Sequence, residues 1–266
     1  MGDESMAMRP TALEVCTYGT GMLCTDQETA SSGVITLETD HVMVANERIR
    51  QAFDHAGAVE VRGAFAQRYL GCALPRGKLL RVCDAVGAEA ACYLDGGTVE
   101  VFGDAQEQTG AAMNDGCVIV HGRCGDAVGC EMRGGTIFVR DTGGWYVGTR
   151  MEQAGQRQAA LVIGGDVGGF LGERMTGGII VLLGKPGVHL GAGMRGGVIY
   201  LRHQLEEDAV PKGLTQEPMQ QADRAILGNL LARYNNYFAT ERGRKVDESG
   251  AGFVRLTPHD KASYVV

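Results

Sequence analysis

The amino-acid sequence predicts an all-β protein, a single-stranded right-handed β-helix (β-solenoid) of about seven coils with flanking helices. Three observations point there. A unit of Gly-x-x-Met or Gly-x-x-Leu, then Gly-Gly, then a short apolar strand recurs between residues 71 and 202. Its copies are separated by nearly constant steps. And 41 of the 266 residues are Gly, with only 6 Pro. Glycine at roughly twice its usual ~7%, without a Gly-X-Y period, excludes collagen, and the scarcity of Pro argues against a low-complexity chain. The fold must need small, φ-permissive residues repeatedly. A chain of this length buries about 70–75% of its unfolded surface, so it requires no disulfide or metal staple.

The copies begin at Gly71-Cys-Ala-Leu74, Ala91-Cys-Tyr-Leu94, Gly110-Ala-Ala-Met113, Gly129-Cys-Glu-Met132, Gly148-Thr-Arg-Met151, Gly172-Glu-Arg-Met175 and Gly191-Ala-Gly-Met194, in steps of 20, 19, 19, 19, 24 and 19 residues. The step of 24 holds Gln153-Ala-Gly-Gln-Arg157, which predicts a loop insertion on the outside of one coil. Turns follow the Met or Leu: Asp95-Gly-Gly97, Asp115-Gly116, Arg133-Gly134-Gly135, Thr176-Gly177-Gly178 and Arg195-Gly196-Gly197, where positive φ is expected, at Gly134 and Gly196 among others. Strands come next: Thr98–Phe102, Cys117–Val120, Thr136–Val139, Ile179–Leu183 and Val198–Leu201, rich in branched residues. One unit cannot bury its apolar side alone, but stacked coils share a core and line up the Met and Leu residues in ladders. A step of 19 does not fit the hexapeptide pattern of left-handed helices, and no calcium nonapeptide recurs. Seven coils at ~4.8 Å give a rod about 30–35 Å long.

Four segments follow. Residues 1–45 form an N-terminal extension with short strands after residue 11. Residues 46–66 hold a helix, capped by Asn46 and running to about His55 over the open end of the first coil, and an entry segment. Residues 67–204 are the β-helix. Residues 205–266 comprise a polar stretch, a helix over Ala222–Thr240 that caps the last coil or docks on a partner, and a less ordered tail.

The formal net charge is −7 and no Lys/Arg run stands out, which disfavours nucleic-acid binding. Met1–Met6 carries acidic residues where a signal peptide carries positive ones, and no apolar run approaches a membrane span, so a cytoplasmic chain is expected. The 8 cysteines then read as reduced, mostly structural thiols. Gly71–Lys78 mimics a phosphate loop, but five residues separate Gly71 from Gly77 and Leu79 replaces the magnesium-binding hydroxyl. Gly184–Gly193 lacks the strand, turn and long helix of a dinucleotide site. Cys124-x5-Cys130 and Cys16-x7-Cys24 match no zinc or iron–sulfur spacing, the six histidines show no paired spacing, and His121 reads as hydrogen-bonded or exposed at a corner. No catalytic, cofactor-binding or metal residue is therefore assigned. The residues singled out are those of the repeat: Gly71, Leu74, Leu94, Gly110, Met113, Gly129, Met132, Gly134, Gly135, Gly148, Met151, Gly172, Met175, Gly177, Gly178, Gly191, Met194, Gly196 and Gly197.

Several of these stretches are similar to a known family. Gln67-Arg-Tyr-Leu-Gly71, Asp95–Gln106, Met113–Gly122, Met132–Arg140, Val162–Gly165, Phe170–Gly178 and Gly191–Tyr200 resemble, in order, the Gly-x-Gly-x-Gly domain at the C-terminus of the glutamate synthase large subunit, over about residues 45–240. The resemblance implies a right-handed β-helix of mainly structural role, holding a glutaminase domain and an FMN-containing synthase domain around an ammonia tunnel. It also implies that FMN, the iron–sulfur cluster and the nucleophilic Cys belong to partner subunits. This chain then looks like the separately made third piece of an oxidoreductase of glutamate biosynthesis. Its expected partners are glutaminase-type and FMN synthase-type subunits or a second copy of itself. The alternative is a component of formylmethanofuran dehydrogenase, or of the formyltransferase/hydrolase complex, in each of which one subunit is built from related coils. An independent solenoid enzyme is the reading from another class.

Overall fold

The computed structural model describes residues 32–37, 41–155 and 157–259. Nine strands stack in chain order, each parallel to the one before: β1 (Ser32–Thr36), β2 (Ala58–Arg62), β3 (Leu79–Val82), β4 (Asp95–Val101), β5 (Asp115–Val120), β6 (Gly135–Val139), β7 (Ala159–Ile163), β8 (Thr176–Leu182) and β9 (Gly196–Leu201). Val118 pairs with Ile137, Ile137 with Leu161, Leu161 with Ile180 and Ile180 with Ile199, so each strand position repeats once per coil. The result is a parallel β-solenoid of about eight turns. Parallel neighbours joined by single crossovers take the right-handed sense that strand twist favours. The stack begins ahead of the repeat because β1 and β2 pair onto β3 without carrying the Gly-x-x-Met signature. The five-residue insertion lies between Met151 and β7, and its described residues are exposed.

Side-chain alternation gives the strands two buried faces. Val118, Val120, Ile137, Val139, Leu161, Ile163, Ile180 and Leu182 fill the coil interior. Ile119, Phe138, Val162, Val181 and Tyr200 point the other way, into a second core with Leu227, Leu230, Leu231, Tyr234 and Phe238 of helix α2 (Gln221–Arg242). Burial on both faces explains why these strands read as continuous apolar runs.

Helix α1 spans Val42–Phe53 rather than starting at Asn46. His41 is its N-cap, with Nδ1 accepting from Met43 N at 3.4 Å. Asn46 instead sits one turn inside and donates to Val42 O (2.9 Å) and Arg68 O (3.2 Å). The helix adds Ala45, Ile49 and Phe53 to the interior beside β1 and β2.

Helix α2 neither caps the last coil nor projects outward. It lies along the outer face, from Tyr200 on β9, whose hydroxyl donates to Asp223 Oδ1 at 2.9 Å, back to Arg140 beyond β6, whose carbonyl accepts from Tyr234 at 2.8 Å. The last coil is closed by two strands of the C-terminal segment that its composition does not predict. There β11 (Val254–Pro258) pairs antiparallel with β9, and β10 (Leu214–Pro218) pairs with β11. Phe253 and Leu256 are buried there, and an otherwise unpaired strand edge is covered. No helix among the described residues is long and apolar enough to cross a membrane.

Candidate functional site

Each coil turns through left-handed residues at alternate positions: Gln108, Gly110 and Ala112; Ala127, Gly129 and Glu131; Tyr146, Gly148 and Arg150; Phe170, Gly172 and Arg174. The first N–H of each set bonds along the rod to the next coil: Gln108 N to Asp126 O (2.7 Å), Ala127 N to Trp145 O (2.7 Å), Tyr146 N to Gly169 O (2.9 Å) and Phe170 N to Val188 O (2.8 Å). These bonds offset a cost of roughly 1–2 kcal/mol for each non-glycine left-handed residue. The repeat glycines Gly71, Gly110, Gly129, Gly148, Gly172 and Gly191 occupy the middle position, with φ between 62° and 73°. Leu74, Leu94, Met113, Met132, Met151, Met175 and Met194 form a buried ladder behind them.

The two glycines of each Gly-Gly do different things. Gly135, Gly178 and Gly197 have φ of 82°, 87° and 78°, and a Cβ there would overlap the methyl carbons of Met113, Met151 and Met175. Gly134 and Gly196 do not have the positive φ expected of them; a Cβ there would run into the carbonyl oxygens of Asn114 and Thr176 on the preceding coil. Gly177 likewise has no room, with Gln153 N 2.7 Å from its Cβ position. Close approach of coils, not backbone conformation, fixes these three.

Sequence reasoning missed the corner's outer surface. The residue two before the repeat glycine is Tyr146, Phe170 and His189 on three consecutive coils, at φ of 59°, 63° and 58°. Their rings stack, Tyr146 on Phe170 at 4.8 Å and 9°, Phe170 on His189 at 4.6 Å and 25°. Trp145 lies alongside Phe170 at 6.2 Å, 46% exposed, and Val188 is 60% exposed. Trp145 N is held by Asp126 Oδ1 at 2.7 Å, as Lys185 N is by Asp166 Oδ1. The signal was the fixed offset of three rings from the repeat glycine.

A charged seam joins α2 to the sheet. His121, buried at the end of β5, places Nε2 3.2 Å from Glu100 Oε1 and Nδ1 2.5 Å from Glu241 Oε1. Its ring stacks on Phe102 at 4.6 Å and meets Phe238 edge-on at 5.1 Å. Burial opposes the imidazolium, but hydrogen bonds to Glu100 and Glu241 outweigh it and hold the His121 pKa above its usual value. Glu241 also pairs with Arg140, and although burial raises its pKa, His121 and Arg140 bring it below the ordinary range. Next to the seam, Arg140, Asp141, Thr142, Gly164, Gly165, Arg242 and Arg244 line an open cleft of about 300 Å³. Arg242 is spent on Arg140 O (2.9 Å) and the Tyr234 hydroxyl (2.6 Å), and Arg140 on Asp141 (2.8 Å). The seam thus fastens the helix.

The remaining motifs resolve into structure. Lys78 of the phosphate-loop look-alike donates to Phe53 O (2.7 Å) and Ala56 O (3.2 Å) at the end of α1. Cys124 is buried, and burial pushes its thiol up. Cys72, Cys92, Cys117, Cys124 and Cys130 are free, but Cys83 is disulfide-bonded, which corrects the expectation of reduced thiols throughout. Cys16 and Cys24 lie outside the described residues. Among the described residues, no three His, Cys, Asp or Glu side chains are grouped to hold a metal ion.

Comparison with known proteins adds two findings. A family model described as the GXGXG motif matches residues 34–259. An uncharacterized protein of Methanocaldococcus jannaschii, MJ1350, is 31% identical, with 87% of this chain and 94% of that protein covered.

Proposed function

Because the chain belongs to the GXGXG motif family and is a glutamate synthase-like domain, we propose that it is a structural subunit that organises other chains of a glutamate synthase-type complex. In this reading the glutaminase-type partner releases ammonia from glutamine and the FMN-bearing partner adds it to 2-oxoglutarate. FMN and the iron–sulfur cluster belong to those partners, and the solenoid sets their separation. The observation that carries the reading is the surface ladder of Tyr146, half-buried Phe170 and His189 with exposed Trp145 beside it. Bulky residues at left-handed positions cost energy, stacking returns only about 0.5–1.5 kcal/mol per pair, and clustered Trp and Tyr rings typify the anchors of protein interfaces.

The test is purification of the tagged protein from its own host at native level, with mass spectrometry and an absorbance spectrum of the eluate. A glutaminase-type chain and a yellow FMN chain are expected. A colourless homo-oligomer would overturn the proposal, and partners of the formylmethanofuran type would transfer it to that complex. Ala127 shows that the corner accepts Ala at φ 56°, so the double substitution Tyr146→Ala, Phe170→Ala should keep the fold. It should nevertheless reduce partner recovery at least tenfold, the equivalent of about 1.4 kcal/mol. Undiminished recovery would refute the ladder as the docking surface.

A further inference from the structure

We propose that Cys72 and Cys92 form a reactive dithiol, a modification site for peroxide-class oxidants in which Cys72 attacks and Cys92 resolves. The position after the repeat glycine, or after Ala91 in the second coil, carries, coil by coil, Cys72, Cys92, Ala111, Cys130, Thr149, Glu173 and Ala192, so adjacent coils both present a thiol only at the first pair. The hydrogen bonds Ala91 N to Leu70 O and Ala73 N to Cys92 O, both 2.9 Å, hold the two coils in register around it. Neighbours in that register sit at roughly the 4.8 Å coil spacing, inside the ~4.4–6.8 Å Cα separation that a disulfide accepts. Cys72 is exposed and Cys92 is buried, which suits an attacking thiol and a protected resolving one.

The surrounding charges bear on Cys72 from two elements. Arg50 on α1 favours its thiolate; Glu89 on the next coil opposes it, and Glu89 is engaged by Arg68 at 2.8 Å. The hydrogen bond from Cys92 and the charge of Arg50 together outweigh burial and bring Cys72 down to about 7, while the same hydrogen bond raises Cys92. Burial raises Cys117, Cys124 and Cys130 instead. In the reaction the Cys72 thiolate attacks one oxygen of hydrogen peroxide; the O–O bond breaks and, with one proton taken up, water leaves and a sulfenic acid remains. Cys92 then attacks that sulfur, its proton and the sulfenic hydroxyl depart as a second water, and a disulfide forms. Two thiols are oxidised and one peroxide is reduced to two waters.

The test treats the full chain with equimolar hydrogen peroxide and maps its peptides without reduction, alongside the pH profile of Cys72 alkylation by iodoacetamide. A Cys72–Cys92 cross-link is expected, with Cys72 alkylation half-developed near pH 7. In Cys92→Ala, which the column tolerates at Ala111 and Ala192, oxidation should stop at a dimedone-trappable sulfenic acid on Cys72. The alkylation profile of that variant should move toward the ordinary thiol value of about 8.5. Recovery of both residues as thiols after peroxide, or a Cys72 profile unchanged by Cys92→Ala, would overturn the proposal.

Discussion

Replacing Gly135 by Ala separates the two demands the repeat makes on its glycines. At φ 82° the new side chain costs about 1–2 kcal/mol in backbone strain alone. Its Cβ also meets Met113 Cε and lies 2.8 Å from Gly116 O, and overpacking of this kind adds about 1–3 kcal/mol. The expected loss is therefore about 2–5 kcal/mol. Gly77→Ala is the control, because φ is 79° but nothing lies within 4 Å of the added carbon, so only the strain of about 1–2 kcal/mol remains. Met113→Ala removes the clashing methyl and by itself costs about 2–5 kcal/mol through the cavity it leaves. Combined with Gly135→Ala it should cost less than the sum by about 1–3 kcal/mol. Urea unfolding followed by far-UV circular dichroism, at unchanged slope, measures all four variants. Equal losses at Gly77 and Gly135, together with zero coupling to Met113, would refute the claim that the second glycine makes room for the methionine ladder.

The charged seam should make stability depend on pH. The raised His121 pKa contributes stability that is complete below the unfolded value of about 6.5 and is lost as pH rises through the folded value. Glu241, lowered, contributes above its unfolded value and loses that contribution as pH falls. His121→Gln should destabilise by about 1–3 kcal/mol at pH 6 and flatten the decline above neutrality; a variant with the wild-type slope would show that His121 is not its source. Tyr234→Phe removes the hydroxyl shared by Arg140 O and Arg242, and should cost about 1–2 kcal/mol in the same unfolding assay. Unchanged stability would mean that these bonds do not hold α2 down.

Coil period, strand identity and ladder were legible because they are local requirements repeated in every copy. A left-handed corner whose central residue faces the packed interior, where a Cβ at Gly110 or Gly129 would meet Ile137 or Leu161, asks for a small residue at the same offset in every copy, Gly in all but Ala91, and a strand enclosed on both faces asks for branched residues. Where the local signature lapses, legibility lapses with it: β7 follows Arg157-Gln158 instead of Gly-Gly, and β1 and β2 precede the first Gly-x-x-Leu. The glycines of the Gly-Gly pair also misled, since a neighbour's carbonyl at Gly134 leaves the same mark in the sequence as a positive φ.

The sequence by itself determined the rod, because spacing and side-chain size in each copy dictate where the chain must turn and what it can enclose. Only the tertiary structure decided what lies against the rod. Glu241 meets His121 across 120 residues of chain, Arg233 sits over Phe138 at 4.8 Å, and the tail returns to pair with β9. Such contacts have no period. They are chosen by the fit of distant surfaces, and the same apolar spacing in α2 would suit a cap on the last coil, a partner's groove or the outer face it occupies.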